Sequence, residues 1–330
     1  MRKLRRILFG LGASAFLWSF LVEPRMLEAN QAEIRIEGLT APIRALVAAD
    51  TQSLSLHWSE KRLAEKLKPM VEAQKPDLIL LLGDYSGISH GPAQKLYNDW
   101  MRVDPQAAAR LLGGLEAPMG VYAILGNHDW AEDGEAIAAA LAEGGAKVLR
   151  NENLEIAAPG GGRLILAGVD DPIGPQGARP DLALAGTDPA APLIFLTHRP
   201  DEAMRLPRPA SLSAAGHTHG GQICLPLIGC PVAMSRHGFS AGLYETPKGP
   251  LYVSRGIGTA ALPLRFLNPP EIVTLNLIPA APPAPAQPAP KPPAPRPDSS
   301  ELIAREEPRP LNLSPNLPLA TVRAPEAIPR

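Results

Sequence analysis

The chain has 330 residues, 45% of them hydrophobic, and its 32 basic side chains nearly balance 33 acidic ones, for a formal net charge of −1. Such a balance gives a polyanion no overall field to follow, and no basic run with interleaved aromatics supplies a local one, so no nucleic-acid partner is expected. The length suits one folded domain flanked by an N-terminal segment and a tail.

At the N-terminus, Arg2, Lys3, Arg5 and Arg6 precede the almost uninterrupted apolar run 7–22. That run is just short of the ~17–25 residues that span a bilayer, and basic residues ahead of such a run keep that end in the cytoplasm. The remainder of the chain is therefore expected outside it. No small-x-small cleavage site is evident where Glu23-Pro24-Arg25-Met26 succeeds Val22. Residues 1–24 thus read as an anchor in the inner membrane or an uncleaved signal, and 25–42 as a juxtamembrane connector.

Four apolar runs then end in potential metal-ligand residues. They are Ala45-Leu46-Val47-Ala48-Ala49-Asp50, Leu78-Ile79-Leu80-Leu81-Leu82-Gly83-Asp84, Val121-Tyr122-Ala123-Ile124-Leu125-Gly126-Asn127-His128-Asp129, and Leu193-Ile194-Phe195-Leu196-Thr197-His198. Runs of this length bounded by Gly, Pro and Asp read as strands buried on both faces, whose first polar residue appears where the strand ends. Amphipathic segments at 59–74, 107–115 and 133–144 predict helices between them, and the alternation indicates an α/β sandwich. In such sheets the strand ends share one edge, and ligands bind there.

Gly216-His217-Thr218-His219-Gly220-Gly221-Gln222 comes after another apolar run and adds two imidazoles, with glycines that let the backbone bend closely around them. Asp50, Asp84, Asn127, His198, His217 and His219 are thus expected to converge. Carboxylate, imidazole and amide without thiolate suit Mn²⁺, Fe or Zn²⁺ in a hydrolytic centre rather than a structural four-cysteine zinc site.

Further along, 154–156 and 164–168 predict a hairpin in a second sheet, and 251–254 and 272–277 late strands in that same half. Gly160-Gly161-Gly162 reads as the hairpin turn, not a phosphate loop, because no Lys-Ser/Thr comes after it. From 278 to 330 the chain turns to Pro-Ala repeats such as Pro282-Pro283-Ala284-Pro285, which favour extended polyproline II and predict a disordered tail acting as a passive spacer.

Gly83-Asp84, Gly126-Asn127-His128-Asp129, His198 after its strand, and Gly216-His217-Thr218-His219, in that order, resemble the calcineurin-like metallophosphoesterase superfamily. Gly168-Val169-Asp170-Asp171, Gly220-Gly221-Gln222, Ser254-Arg255-Gly256-Ile257-Gly258, Leu264-Arg265-Phe266 and Pro270-Glu271-Ile272 resemble its membrane-associated, exported phosphodiesterase subfamily. The resemblance spans 43–277 and implies a four-layer α-β-β-α sandwich hydrolysing phosphodiesters or phosphomonoesters with hydroxide held by a dinuclear metal centre. It implies two divalent ions bridged by Asp84, one also held by Asp50 and His219, the other by Asn127, His198 and His217. It also implies that His128 acts on a phosphate or leaving-group oxygen, with Asp129 as its orienting partner.

One position departs from the family pattern. The first motif is Asp-x-His, and here it reads Asp50-Thr51-Gln52. A glutamine carbonyl oxygen coordinates hard metals comparatively better than soft ones, so Gln52 is expected to remain a ligand with altered metal preference. His57 and His90 read as surface or packing residues, His237 as a surface residue at the rim, and Asp170-Asp171 as a structural turn outside the metal set. Cys224 and Cys230 flank a short loop and are read equally well as a disulfide or as two free thiols. Two other functions stand beside the phosphoesterase: a UDP-2,3-diacylglucosamine-type lipid nucleotide pyrophosphatase, and a non-catalytic binding domain motivated by Gln52. No obligate protein partner is implied.

Overall fold

A computed structural model of the protein describes residues 1–52, 62–87, 104–231 and 234–280. Residues Met1–Pro282 form one unit, and a second, Pro283–Arg330, lies outside the described residues, as do His57, His90 and nearly all of the expected tail.

Helix α1 (Arg2–Leu17) buries none of its residues. It continues through a wide turn (Trp18–Val22) and a tighter one (Glu23–Arg25), making a 24-residue helical segment long and apolar enough to cross a membrane. At 1.5 Å per residue it reaches about 36 Å, against about 30 Å of bilayer hydrocarbon.

The first sheet has the order β1-β12-β2-β3-β4-β5, built from β1 (Glu28–Ile36), β2 (Ile43–Ala48), β3 (Leu78–Leu81), β4 (Val121–Ala123), β5 (Lys147–Val148) and β12 (Glu271–Pro279). The second has the order β10-β11-β9-β8-β7-β6, from β6 (Glu152–Ala158), β7 (Gly162–Gly168), β8 (Leu193–Thr197), β9 (Leu212–Ala215), β10 (Gly242–Tyr244) and β11 (Leu251–Val253). β2 to β5 run parallel, as do β7, β8, β9 and β11, so each sheet has several strand ends on one edge.

Period two along each strand builds the layers. Ala45, Val47, Leu78, Leu80, Leu164, Leu166, Ile194 and Leu196 fill the space between the sheets. Leu46, Ala48, Ile79 and Leu81 point the other way, against Leu63, Leu67, Val71 (α2, Lys68–Gln74), Leu112 (α3, Pro105–Gly113) and Ile137 and Leu141 (α5, Gly134–Gly144). α4 (Asn127–Glu132) leads into α5. Across the second sheet the outer layer is thinner: Phe195, Val169 and Leu251 pack under Ala183, Ala203, Leu206 and Phe239, from short helical turns and loops. The result is a four-layer α-β-β-α sandwich.

Two expectations change. Residues 272–277 belong to the first sheet rather than the second: β12 pairs antiparallel with β2, Leu275 opposite Ala45. The crossing segment is tied to that sheet before the strand starts, because the Ile257 N–H donates to Ala49 O and Ile257 packs under the first sheet. The stretch 25–42, expected as a connector, instead contributes β1, parallel to β12 at the sheet edge. Its alternation of Ala32, Ile34 and Ile36 with polar neighbours was the available signal.

Candidate metal centre

The ends of β2, β3, β4, β8 and β9 meet between the two sheets. Immediately after these strands the backbone turns sharply, and Asp50, Gln52, Asp84, His217 and His219 all have positive φ, between 28° and 72°. Each such residue costs on the order of 1–3 kcal/mol, and strain of this kind gathers where side chains must be held in a set position.

Asp84 is the hub. Its Oδ2 lies 3.2 Å from His198 Nε2 and 3.2 Å from Gln52 Nε2, while its Oδ1 accepts the His128 main-chain N–H at 2.9 Å. The Nδ1–H of His198 donates to Leu82 O (2.8 Å), which orients Nε2 toward Asp84 and places it 3.2 Å from His217 Nδ1. Potential ligand atoms of Asp84, His198 and His217 all lie within 4.8 Å of one another. Asp50 accepts the His217 N–H at 3.0 Å with both oxygens, and its Oδ1 is 3.7 Å from His219 Nε2. Sequence-distant residues 50, 52, 84, 198, 217 and 219 are thereby brought together and buried.

The electrostatics of the cluster call for positive charge. Burial would raise Asp84, but the His198 charge and hydrogen bond override it and hold the carboxyl well below the usual range. Burial would lower His198, yet Asp84 and Asp50 push it up to about 10. Burial raises Asp50 to about 7 and lowers His217 to about 3. Buried polar atoms here also lack hydrogen-bond partners: Gln52 Oε1, Asn127 Oδ1, and both ring nitrogens of His219. Leaving such atoms unpaired costs about 1–3 kcal/mol each. Lone pairs of oxygen and nitrogen, no thiolate, and a spot that stabilises a cation are the donor chemistry of a divalent-metal site.

Asp129 departs from its expected role. Its two oxygens accept main-chain N–H groups of Asp84, Tyr85, Ser86 and Gly126, all between 2.8 and 3.0 Å. Four donors fill a carboxylate's acceptor sites, so Asp129 clasps the β3 and β4 loops together rather than orienting the His128 ring. Burial and the Asp84 charge nevertheless push it up to about 7.

Asp170 and Asp171 sit outside the cluster. Asp171 holds Arg199, the neighbour of His198, through two hydrogen bonds (2.8 and 3.1 Å), and Asp170 accepts Trp130 Nε1. His237 lies on the surface against Asp201.

A supporting layer had no role assigned from the sequence, in which Arg265 figures only within a motif of the resemblance and Asn268 in none. The fully buried Arg265 guanidinium donates to the carbonyls of Arg255, Gly256, Gly258 and Asn268, and Asn268 Nδ2 donates to His219 O and Gly220 O. An arginine between Leu264 and Phe266 was the visible hint. Cys224 and Cys230 form a disulfide just beyond the His217 loop.

All of the converging residues lie within the segment 43–227 that matches the model of calcineurin-like phosphoesterases. The chain belongs to this family. This calcineurin-like phosphoesterase is 33% identical over 272 residues to the uncharacterized metallophosphoesterase YkuE of Bacillus subtilis (strain 168), covering 78% of this chain and 87% of that one. It is 33% identical over 248 residues to the phosphodiesterase YaeI of Escherichia coli (strain K12), covering 72% and 83%. A bovine transmembrane protein with a metallophosphoesterase domain is 33% identical over 229 residues, covering 64% of this chain and 48% of the bovine one. As a member of the family the protein is a metal-dependent phosphoester hydrolase.

Proposed function

We propose that the protein is a membrane-anchored phosphodiesterase with two divalent ions, acting outside the cytoplasm. The observation that carries the reading is the gathering of Asp84, His198 and His217 ligand atoms within 4.8 Å of one another, together with buried Gln52 Oε1, Asn127 Oδ1 and His219 ring nitrogens that have no hydrogen-bond partner. In this reading Asp84 would contribute to holding both ions, with Asp50, Gln52 and His219 as further ligands for one and Asn127, His198 and His217 for the other. The bound ions supply Lewis-acid polarisation of a phosphoryl oxygen and a water acidic enough to be a nucleophile near neutral pH. Leu82 O keeps the His198 ring aligned, and Asp129 keeps the loops of Asp84 and Asn127 in fixed register. His128 donates a proton or hydrogen bond to a phosphate or leaving-group oxygen.

Sequence similarity to the YaeI phosphodiesterase supports diester substrates. The 24-residue N-terminal helical segment and the Cys224–Cys230 disulfide support a catalytic domain anchored in the inner membrane on its oxidising, periplasmic side. The same anchor suits a lipid-linked nucleotide pyrophosphatase. Its nucleotide substrate would be cytoplasmic, so topology separates the two readings.

The test is a purified-protein panel of phosphomonoesters, diesters and lipid pyrophosphates with each divalent metal. Asp84→Asn is expected to lose both turnover and bound metal, whereas His128→Ala keeps its metal and loses ~10²–10⁴-fold in kcat. Full activity in Asp84→Asn, or a parent enzyme inert toward every phosphoester, would overturn the proposal.

A further inference from the structure

The disulfide closes a short turn whose apolar tip faces outward. In Leu225-Pro226-Leu227-Ile228-Gly229, Leu227 is 107% exposed and Ile228 71% exposed. The turn is held in shape: Leu225 N–H donates to Gly229 O (2.8 Å), and Gly229 N–H donates back to Leu225 O (2.9 Å). A cross-linked, hydrogen-bonded turn that projects two large aliphatic side chains into solvent marks a contact surface.

Its neighbours say what the surface meets. Cys224 N–H donates to Phe266 O, and Phe266 N–H to Gln222 O, which joins this turn to the 262–268 loop, where Leu262 and Leu267 are also exposed. That loop is in turn fixed to the foot of the membrane-length helix: Arg265 N–H donates to Ser19 O (2.9 Å), and Asn268 N–H to Glu23 Oε1 (2.5 Å). Glu23 also accepts Trp18 Nε1, and Ser19 and Glu23 are buried there although α1 itself buries nothing. Exposed aliphatic side chains on loops hydrogen-bonded to the end of a helix of membrane-crossing length are placed to meet whatever bilayer that helix would enter. Reciprocal main-chain pairing at the tip satisfies groups that lipid would leave orphaned.

We propose that the 224–230 turn and the 262–268 loop form a second, lipid-contacting foot that rests in the membrane interface beside the anchor. Asn268 ties this foot to the metal centre, since its amide holds the His219 and Gly220 carbonyls. The loop that carries His219 is thereby tied to the foot. Combined with the phosphoesterase reading, on which this last step rests, the substrate class is an amphiphilic phosphoester whose head group lies in the interface.

The experiment uses the full chain in phosphatidylcholine proteoliposomes, with and without brominated acyl chains. Tryptophan placed by Leu227→Trp is expected to add blue-shifted emission that bromine quenches. Tryptophan placed by Glu116→Trp, ahead of β4 at the opposite end of the parallel strands, is expected to stay unquenched. An unquenched signal at position 227, as a protein partner for this surface would give, or equal quenching at both positions, overturns the foot. This readout needs no turnover, so it stands apart from failure of the catalytic reading. The double substitution Leu227→Asp/Ile228→Asp is expected to lower severalfold the turnover of a vesicle-displayed phosphodiester and to leave a water-soluble nitrophenyl diester unaffected. Equal loss on both substrates would make the turn a support of the centre and overturn the substrate class.

Discussion

Gln52 stands where the family motif has a histidine, and its surroundings define what that exchange does. Its Nε2 donates to Asp84 Oδ2, its main-chain N–H donates to Asp84 O, and its Oε1 is buried without a partner. The free carbonyl oxygen is the atom available to a cation, and a neutral oxygen favours harder ions than imidazole nitrogen does. Gln52→His is therefore expected to shift the metal preference toward softer ions such as Zn²⁺. Activity profiles across metals measured on both proteins check this, and identical profiles would show that position 52 is not a ligand. The positive φ of 28° at Gln52 applies equally to both side chains, so the comparison isolates the donor atom.

At the scale of elements, the centre depends on how closely two strand ends approach. Gly126, at the end of the β4 run, faces the Asp84 turn so tightly that a Cβ there would stand 2.2 Å from Asp84 Oδ1 and 2.7 Å from its main-chain nitrogen. Gly126→Ala is expected to force Asp84 away from His198, lowering bound metal and turnover together. Overpacking of this kind costs about 1–3 kcal/mol, which a drop in Tm should report. Metal content and kcat equal to the parent would mean that the two loops separate freely, against the clasp made by Asp129.

For the whole molecule, the arrangement of charge and apolar length predicts an orientation. Four basic residues in the first turns of the membrane-length helical segment, ahead of its apolar run, favour a cytoplasmic N-terminus, with the domain on the other side. A reporter active only outside the cytoplasm, fused after Arg330, is expected to be active. An inactive reporter from a well-expressed fusion would place the domain inside and favour the lipid nucleotide pyrophosphatase.

Much of the centre was legible in the chain because each part is a local rule. A strand buried on both faces must be apolar to its last residue, so Asp50, Asp84, Asn127 and His198 announced both the strands and the shared edge. The helices 107–115 and 133–144 were legible for the same reason, through their apolar period. What tertiary structure alone decided are pairings between distant segments. The sheet that takes β12 depends on where the 254–270 crossing is pinned, and an apolar run reads alike in either sheet. Asp129 looked like a partner for its neighbour His128, but its acceptors are claimed by the β3 loop, 43 to 45 residues away. The docking of Ser19 and Glu23 on Arg265 and Asn268 joins residues some 245 positions apart, and no local pattern encodes a contact that forms only once both sheets are in place.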